Sequence, residues 1–440
     1  MANMHIKPFK TGNGNMLENC LSTFKNVIYS LFPPPSTDSS RIKSVILSPY
    51  IRLVVFLAIS FIFFDILFHS VRVEPQRPVL NHFVHQAQAL LDGNIDIPNH
   101  LPDTAIYNGK YYVIYPPFPT LILLPLVAMF GMRLPLTVIC IIMTLISLYA
   151  LTCIFANLKI EKRFIPWLLV AFFWGTGYWY SLSWSEGVGF FAHIAAVMTM
   201  LLAISESMRK GRGWLVGLFL GASFLSRQLS IYFTLFFIVM LWENINYNTD
   251  KKKVVNILSF FFTLGIAGLI YISYNWLRFG NIFETGYGFI ELGSFCRERV
   301  EMYGQFSIHY IPFNFVYMFL QGYHMNFGGS TNLAVEGVNK FGTALTFASP
   351  FVFFAFWAKL KKSLLYAAWV SIILTIIHQL MYYNNGWIQY NTQRFTLDFL
   401  PLLMVLVALG TKKVPGKVWK PFIVFAVFLN ALTFMIIPRL

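Results

Sequence analysis

Long apolar runs separated by brief polar punctuation dominate this chain. Nine of them read as membrane-crossing helices, measured against the ~20 apolar residues that a helix needs to cross a ~30 Å hydrocarbon core. They are 50–70, 135–157, 164–181, 187–205, 254–276, 342–358, 364–382, 396–410 and 420–437. Two shorter runs, 214–226 and 229–242, flank Arg227 and read as a helical hairpin with that arginine at its tip. A further run, 117–131, is short and rich in proline. Residues 82–93 carry apolar side chains at 83, 87, 90 and 91, the spacing of an amphipathic helix lying on a membrane. The first 48 residues are mixed and polar, with prolines at 33–35, and read as a cytoplasmic tail ahead of a signal-anchor span.

Basic residues orient this pattern. Five clusters fall between the runs: Lys159/Lys162/Arg163, Arg209/Lys210/Arg212, Lys251/Lys252/Lys253, Lys359/Lys361/Lys362 and Lys412/Lys413/Lys417/Lys420. The positive-inside rule places all five in the cytoplasm, with two spans between successive clusters. Parity then requires an odd number of crossings between the outer end of the first span and Lys159. The run 117–131 is therefore read as an interfacial or re-entrant helix, which leaves Arg133 external. The expectation is an all-α polytopic membrane protein: a tail over 1–48, then a domain over 49–440 with eleven spans. Its amino terminus is inside and its carboxyl terminus outside. Two long external segments, 71–134 and 278–341, are the expected carriers of function.

Composition agrees with that class. Of 440 residues, 57% are hydrophobic, 18% aromatic and 12% charged, against roughly 25% charged in a soluble domain. Disorder, a fibrous repeat and a nucleic-acid-binding globule are excluded. A net charge of +15 comes from residues that punctuate apolar runs, so orientation explains it. Cys20, Cys140, Cys153 and Cys296 show neither metal-ligand spacing nor a disulfide framework. There is no repeat at a fixed period and no inverted pair of broken helices.

The order of motifs in the first external segment supplies a more specific reading. After the amphipathic stretch come Asp96-Ile97-Pro98, the run 107–120 containing Tyr115-Pro116-Pro117-Phe118-Pro119, Phe130-Gly131 and Arg133-Leu134-Pro135. Further on lie Ser183-Trp184-Ser185-Glu186-Gly187, Phe224-Leu225-Ser226-Arg227-Gln228, and the stretches 274–281 and 390–401. This ordered set resembles the GT-C membrane glycosyltransferases, closest to the branch of the protein O-mannosyltransferases and lipid A aminoarabinose transferases. The likeness covers about 50–410. It departs at one point: Val79 and Leu80 stand where the family carries an Asp-Glu pair.

The resemblance implies transfer of a sugar from a polyprenyl-phosphate donor to an acceptor on the extracytoplasmic face. Such chemistry needs a carboxylate to take the acceptor's proton and positive groups to stabilise the departing phosphate. Glu74 and Asp103 are the first candidates for the base, with Asp92, Asp96, His82 and His85 behind them. Arg227 is the first candidate for phosphate. Its flanking runs are too short to bring the hairpin tip to the outer surface, where an arginine would be hydrated; the alternative is a tip that pairs with a neighbouring acid. Arg394 opens a short run, with Asp398 at i+4 as its expected partner, and Arg133 is a second external phosphate contact or an interface anchor. Glu186, Asp398, Trp387 and His82 are candidates to orient substrate. Asp65 reads as a structural partner for an arginine. Glu186 is also a candidate ligand for a divalent cation, although no cluster has ligand spacing and no cofactor is required. The second external segment suits an acceptor-binding cap. With no Asn-X-Ser/Thr sequon, the expected location is a prokaryotic plasma membrane. A flippase or transporter and a non-catalytic assembly protein are the competing classes. Sugar and acceptor stay open: protein, polysaccharide or lipid.

Overall fold

The computed structural model describes residues 81–436, apart from 188, 245, 248 and 386–392. The expected tail and first span, together with Asp65, Glu74 and Trp387, lie outside the described residues. The described chain is mostly helical. It opens with α1 (His82–Leu91), a hairpin of β1 (Thr104–Tyr107) and β2 (Lys110–Val113), α2 (Phe118–Phe130) and α3 (Leu136–Asn157). There follow α4 (Ile165–Trp174), α5 (Gly177–Ser183), α6 (Phe190–Met208) and α7 (Gly213–Phe224). A 3₁₀ segment, Gln228–Phe233, leads into α8 (Thr234–Trp242), and α9 (Asp250–Phe279) is the longest helix. The second long segment holds α10 (Ser294–Tyr303), α11 (Ile311–Phe315), a π turn over Val316–Leu320, and a hairpin of β3 (Met325–Gly328) and β4 (Ala334–Val338). The chain continues with α12 (Leu345–Ala348), 3₁₀ Pro350–Trp357, α13 (Lys362–Leu380), 3₁₀ Arg394–Asp398, α14 (Leu400–Thr411) and α15 (Gly416–Ile436).

Among the described residues, five helices are long and apolar enough to cross a membrane: α3, α6, α9, α13 and residues Gly416–Phe434 of α15. They coincide with five of the expected spans. The other expected spans among the described residues are shorter or broken helices, and each break has a local cause. The run 164–181 parts at Gly175 and Thr176. A Cβ at Gly175 would lie 2.7 Å from the Ala171 carbonyl and 3.0 Å from Phe351. Thr176 caps α5 by accepting from the Tyr178 N–H at 3.2 Å, and Ser349 donates to the Gly175 carbonyl at 2.6 Å. The run 342–358 parts at Ser349 and Pro350, because proline brings no N–H to continue the helix. At 13 residues, α2 is about 20 Å long and falls short of a span.

The structure adds detail to these expectations. Among the described residues, two small antiparallel two-stranded sheets stand in the two long segments of a chain that is otherwise mostly helical. The first turns at Asn108 and Gly109, both with positive φ (51° and 73°), the geometry that an Asn-Gly pair favours in a two-residue hairpin turn. Helix α1 packs most of its side chains against protein. His82, Phe83, Val84, Gln86, Ala87 and Ala89 are all buried, and exposure begins at Leu91. The second long segment also contains an apolar helical run, Ile308–Leu320, that was not expected.

Contacts bring the five basic clusters to one end of the bundle. Lys412 donates to the Leu158 carbonyl at 3.0 Å, and Gly410 abuts the Phe354 carbonyl and Ala358. Lys361 pairs with Glu243. Asn246 donates to the carbonyls of Arg209 and Lys210 at 3.0 and 3.3 Å, and Asn256 to that of Gly211 at 2.7 Å. Helix α7 starts at this end and lies against α9 through Gly213, Gly217 and Gly221. A Cβ at these glycines would stand 1.8, 2.3 and 2.7 Å from Asn256 O, Phe260 O and Ala267 Cβ. Small residues every fourth position let two helix backbones approach this closely. At ~1.5 Å per residue, α7 ends about 15 Å short of the far end of α9, so its tip is recessed.

Candidate functional site

Arg227 follows the tip of α7, and the first long segment meets it there: the Phe118 N–H donates to the Leu225 carbonyl at 3.0 Å. The guanidinium holds Asp398 with two bonds, Nε to Oδ1 at 2.9 Å and Nη2 to Oδ2 at 2.8 Å. Gln379 Nε2 donates to the same Oδ2 at 2.9 Å, and His193 Nδ1 lies 3.5 Å from Oδ1. The turn after α7, helices α6 and α13, and the Arg394–Asp398 turn thus meet on one carboxylate. Asp398 is 1% exposed and Arg227 15%, so the acid is sealed while the base keeps an open side. The carboxylate takes two of the five guanidinium N–H groups, which leaves donors for another acceptor.

The expected Arg394–Asp398 pair is therefore corrected: the partner of Asp398 is Arg227, 171 positions away. Residues Arg394–Asp398 form a 3₁₀ turn, in which i and i+3 align and i+4 points elsewhere. The Arg394 guanidinium instead lies over the Phe190 ring at 4.2 Å and the Phe395 ring at 5.5 Å. Arg227 also lies over the Phe395 ring, at 5.3 Å. Phe395 is thus shared by two partly exposed arginines.

Above them, Tyr115 packs on Phe83 with ring centroids 5.6 Å apart and edge-on to His82 at 6.1 Å. Gly189, with φ at 77°, brings the loop before α6 against the Tyr115 ring. Three charges meet in electrostatic range of Tyr115. Burial pushes its phenol well above the ordinary value, Asp103 adds to that, and Arg394 and Arg227 oppose it. Tyr287, from the second external segment, is pushed up to about 12, first by burial; Arg227 pulls it down and Asp103 pushes it further up. Tyr382 stands edge-on to Tyr287 at 6.4 Å. Both tyrosines nearest the arginines therefore remain neutral hydrogen-bonding phenols at physiological pH.

Asp103 is exposed and adopts positive φ (60°), a conformation that aspartate tolerates better than most residues. Its turn is held from both sides. The Thr104 hydroxyl donates to the Leu101 carbonyl at 2.6 Å, and the His82 Nε2 bonds the Pro102 carbonyl. His82 is 1% exposed, so it fixes the Asp103 turn rather than offering its ring to solvent. Asn81 caps α1, accepting from Phe83 N at 3.0 Å, and donates to the Ser185 carbonyl at 3.4 Å. That bond ties the turn carrying Glu186, which is half-buried, to the start of α1.

The remaining candidates separate. Arg133 is exposed between α2 and α3 and joins no ion pair among the described residues. Asp92 accepts from Gln88 at 3.0 Å and Asp96 pairs with Lys110 at 3.0 Å, so both serve the surface of the first segment. Glu74 and Trp387 lie outside the described residues. Residues that sequence reasoning passed over include His193, Gln379 and Tyr115, which face the cluster only through tertiary folding. Arg278, 3% exposed, clamps the first segment by donating to the Val113 carbonyl and to Asn275 Oδ1 at 2.7 Å. Among the described residues no three His, Cys, Asp or Glu side chains gather as a metal site.

The fold and this cluster define a mostly helical protein with, among the described residues, five helices long and apolar enough to cross a membrane, and a recessed arginine site at the end away from its basic clusters. Comparison with protein-family models, curated proteins and solved structures finds no match for the chain.

Proposed function

We propose that the protein is a GT-C-type membrane glycosyltransferase, which moves a sugar from a polyprenyl-phosphate donor to an acceptor at the extracytoplasmic face of a plasma membrane. Eleven spans with the amino terminus inside are part of this reading. One observation carries it: Arg227 and Arg394 flank Phe395 at a recessed tip, and Arg227 keeps donors that Asp398 does not take. Two cations on one aromatic ring suit a departing phosphate.

In this mechanism the Asp103 carboxylate takes the proton of the acceptor hydroxyl. The acceptor oxygen bonds to the anomeric carbon as the bond from that carbon to the phosphate oxygen breaks. The electron pair stays with polyprenyl phosphate, whose added charge is met by Arg394 and by the remaining donors of Arg227. Tyr115 and Tyr287, as phenols, offer hydrogen bonds to sugar or phosphate. Glu74 is the alternative base. A purely structural ion pair is the competing reading, favoured by the bidentate grip of Asp398 on Arg227.

Purified protein in lipid nanodiscs, given radiolabelled polyprenyl-phosphate sugars and a cell-envelope acceptor fraction, should transfer label. Asp103→Asn should slow transfer about 10²–10⁴-fold, the usual worth of a positioned base, with unchanged thermal unfolding. Full activity in Asp103→Asn together with loss in Glu74→Gln would move the base to Glu74. Undiminished transfer in Asp103→Asn, Glu74→Gln and Arg394→Ala alike would remove the assignment.

A further inference from the structure

The β3–β4 hairpin has two unlike faces. Phe327 and Val335 are cross-strand partners, so their side chains share a face, and Leu333 immediately precedes β4, two positions from Val335. All three are exposed, at 50%, 51% and 79%. The opposite face carries Gly328, Ala334 and Glu336, with the Glu336 carboxylate lying against Gly328. An apolar face of this kind on an extramembrane hairpin needs a partner.

The position of the hairpin identifies that partner. Its base packs on the far end of α15: the Thr433 hydroxyl donates to Tyr323 at 3.4 Å, and Val338 and Met325 join Trp179 and Phe434 in one apolar cluster. Helix α15 starts beside Phe164 at the end bearing the basic clusters. Thr433 lies 17 residues beyond Gly416, or about 26 Å along the helix. That is close to the far boundary of a ~30 Å hydrocarbon core. The outward face of α15 below it, through Phe422, Val424, Phe425 and Phe428, is exposed and apolar, as a lipid-facing helix must be. The hairpin thus stems from the end of α15 that this spacing puts near the level where acyl chains meet headgroups.

We infer that the β3–β4 hairpin is an interfacial anchor, which lays Phe327, Leu333 and Val335 into the outer leaflet beside α15. The inference rests on the membrane-crossing reading of α15 and stands whether or not the protein transfers sugar. Three of the cysteines are buried, so a Cys20→Ser background permits selective labelling. Leu333→Cys would carry an environment-sensitive fluorophore in full-length protein reconstituted in phosphatidylcholine–phosphatidylglycerol vesicles, with Glu336→Cys as the opposite-face comparison. The label at 333 should lose most of its emission to lipids with a nitroxide high on the acyl chain and resist aqueous iodide; the label at 336 should do the reverse. Quenching of the 333 label by iodide alone would overturn the anchor. Protection from both quenchers would overturn it too, and would indicate a protein occupant such as a second copy. If the Leu333→Cys protein fails to accumulate, Val335→Cys reads the same face by the same criteria.

Discussion

The Arg227–Asp398 pair is both the most sealed ionic contact at the site and its most consequential. Two opposite charges removed from water are tolerable only while each satisfies the other, and removing one partner strands an uncompensated charge. Arg227→Leu should therefore lower stability by about 3–5 kcal/mol, seen as a large drop in the unfolding midpoint in detergent. The double variant Arg227→Leu with Asp398→Leu should recover most of it. Arg394 sits on aromatic faces and does not hold Asp398, so Arg394→Ala should leave the midpoint near that of the parent while transfer is lost. Equal midpoints for the single and double Arg227 variants would show that the pair contributes no coupling. Sequence alone singled out both members of this pair, because arginine and aspartate in apolar runs are costly enough to require a reason. It could not join them. Local spacing pointed Asp398 at Arg394, and only the tighter winding of the 3₁₀ turn directs it elsewhere. His193, on a helix that reads as apolar core, carried no local signal of its role.

Helices were legible where apolarity and hydrogen-bond continuity coincide. The five long runs satisfy both, and their bounds follow the apolar stretches closely. Runs such as 164–181 and 342–358 are equally apolar but contain Gly175-Thr176 and Ser349-Pro350, and hydropathy does not register a broken hydrogen-bond ladder. The Asn108-Gly109 pair was a readable hairpin signal, obscured because its flanks are aromatic and lie between two helical patterns. The spacing of Gly213, Gly217 and Gly221 was likewise visible, and the structure gives it a use: it sets how closely α7 approaches α9, and so where Arg227 sits. Gly217→Val would place new atoms 2.3 Å from the Phe260 carbonyl and the Thr263 hydroxyl. Overpacking of this sort costs about 1–3 kcal/mol, and here it should also shift the tip and reduce transfer more than stability. Gly265→Val, on the open side of α9 with nothing within 4 Å of the new Cβ, should change neither. Equal effects of the two substitutions on the unfolding midpoint and on turnover would show that the α7–α9 approach does not govern the site.

At the scale of the whole molecule, charge and chemistry segregate to opposite ends. The basic clusters are tied together by bonds such as Lys412 to Leu158 and Lys361 to Glu243, while both arginines of the site and the Asp103 turn lie beyond the recessed tip of α7. A membrane holding this bundle would place the clusters in the cytoplasm, which forces the Asp103 turn and the Asn108-Gly109 hairpin to the outside. Single cysteines test that arrangement directly. In spheroplasts of an expressing bacterium, Asn108→Cys should react with a membrane-impermeant maleimide from outside. Lys412→Cys should react only after the membrane is opened, because its side chain sits beside the Leu158 carbonyl at the other end. Labelling of both from the same side would separate the basic clusters from the topology they are taken to set. A donor site facing the cytoplasm would then have to draw on a differently presented substrate, and the extracytoplasmic transfer chemistry would fall even if Arg227 and Arg394 still bound phosphate. Opposite labelling, with Asn108 outside, leaves the recessed arginines within reach of an isoprenoid phosphate entering from the outer leaflet. On the proposed mechanism, proton transfer to Asp103 would then fall on the side where an acceptor can diffuse in and its product can leave.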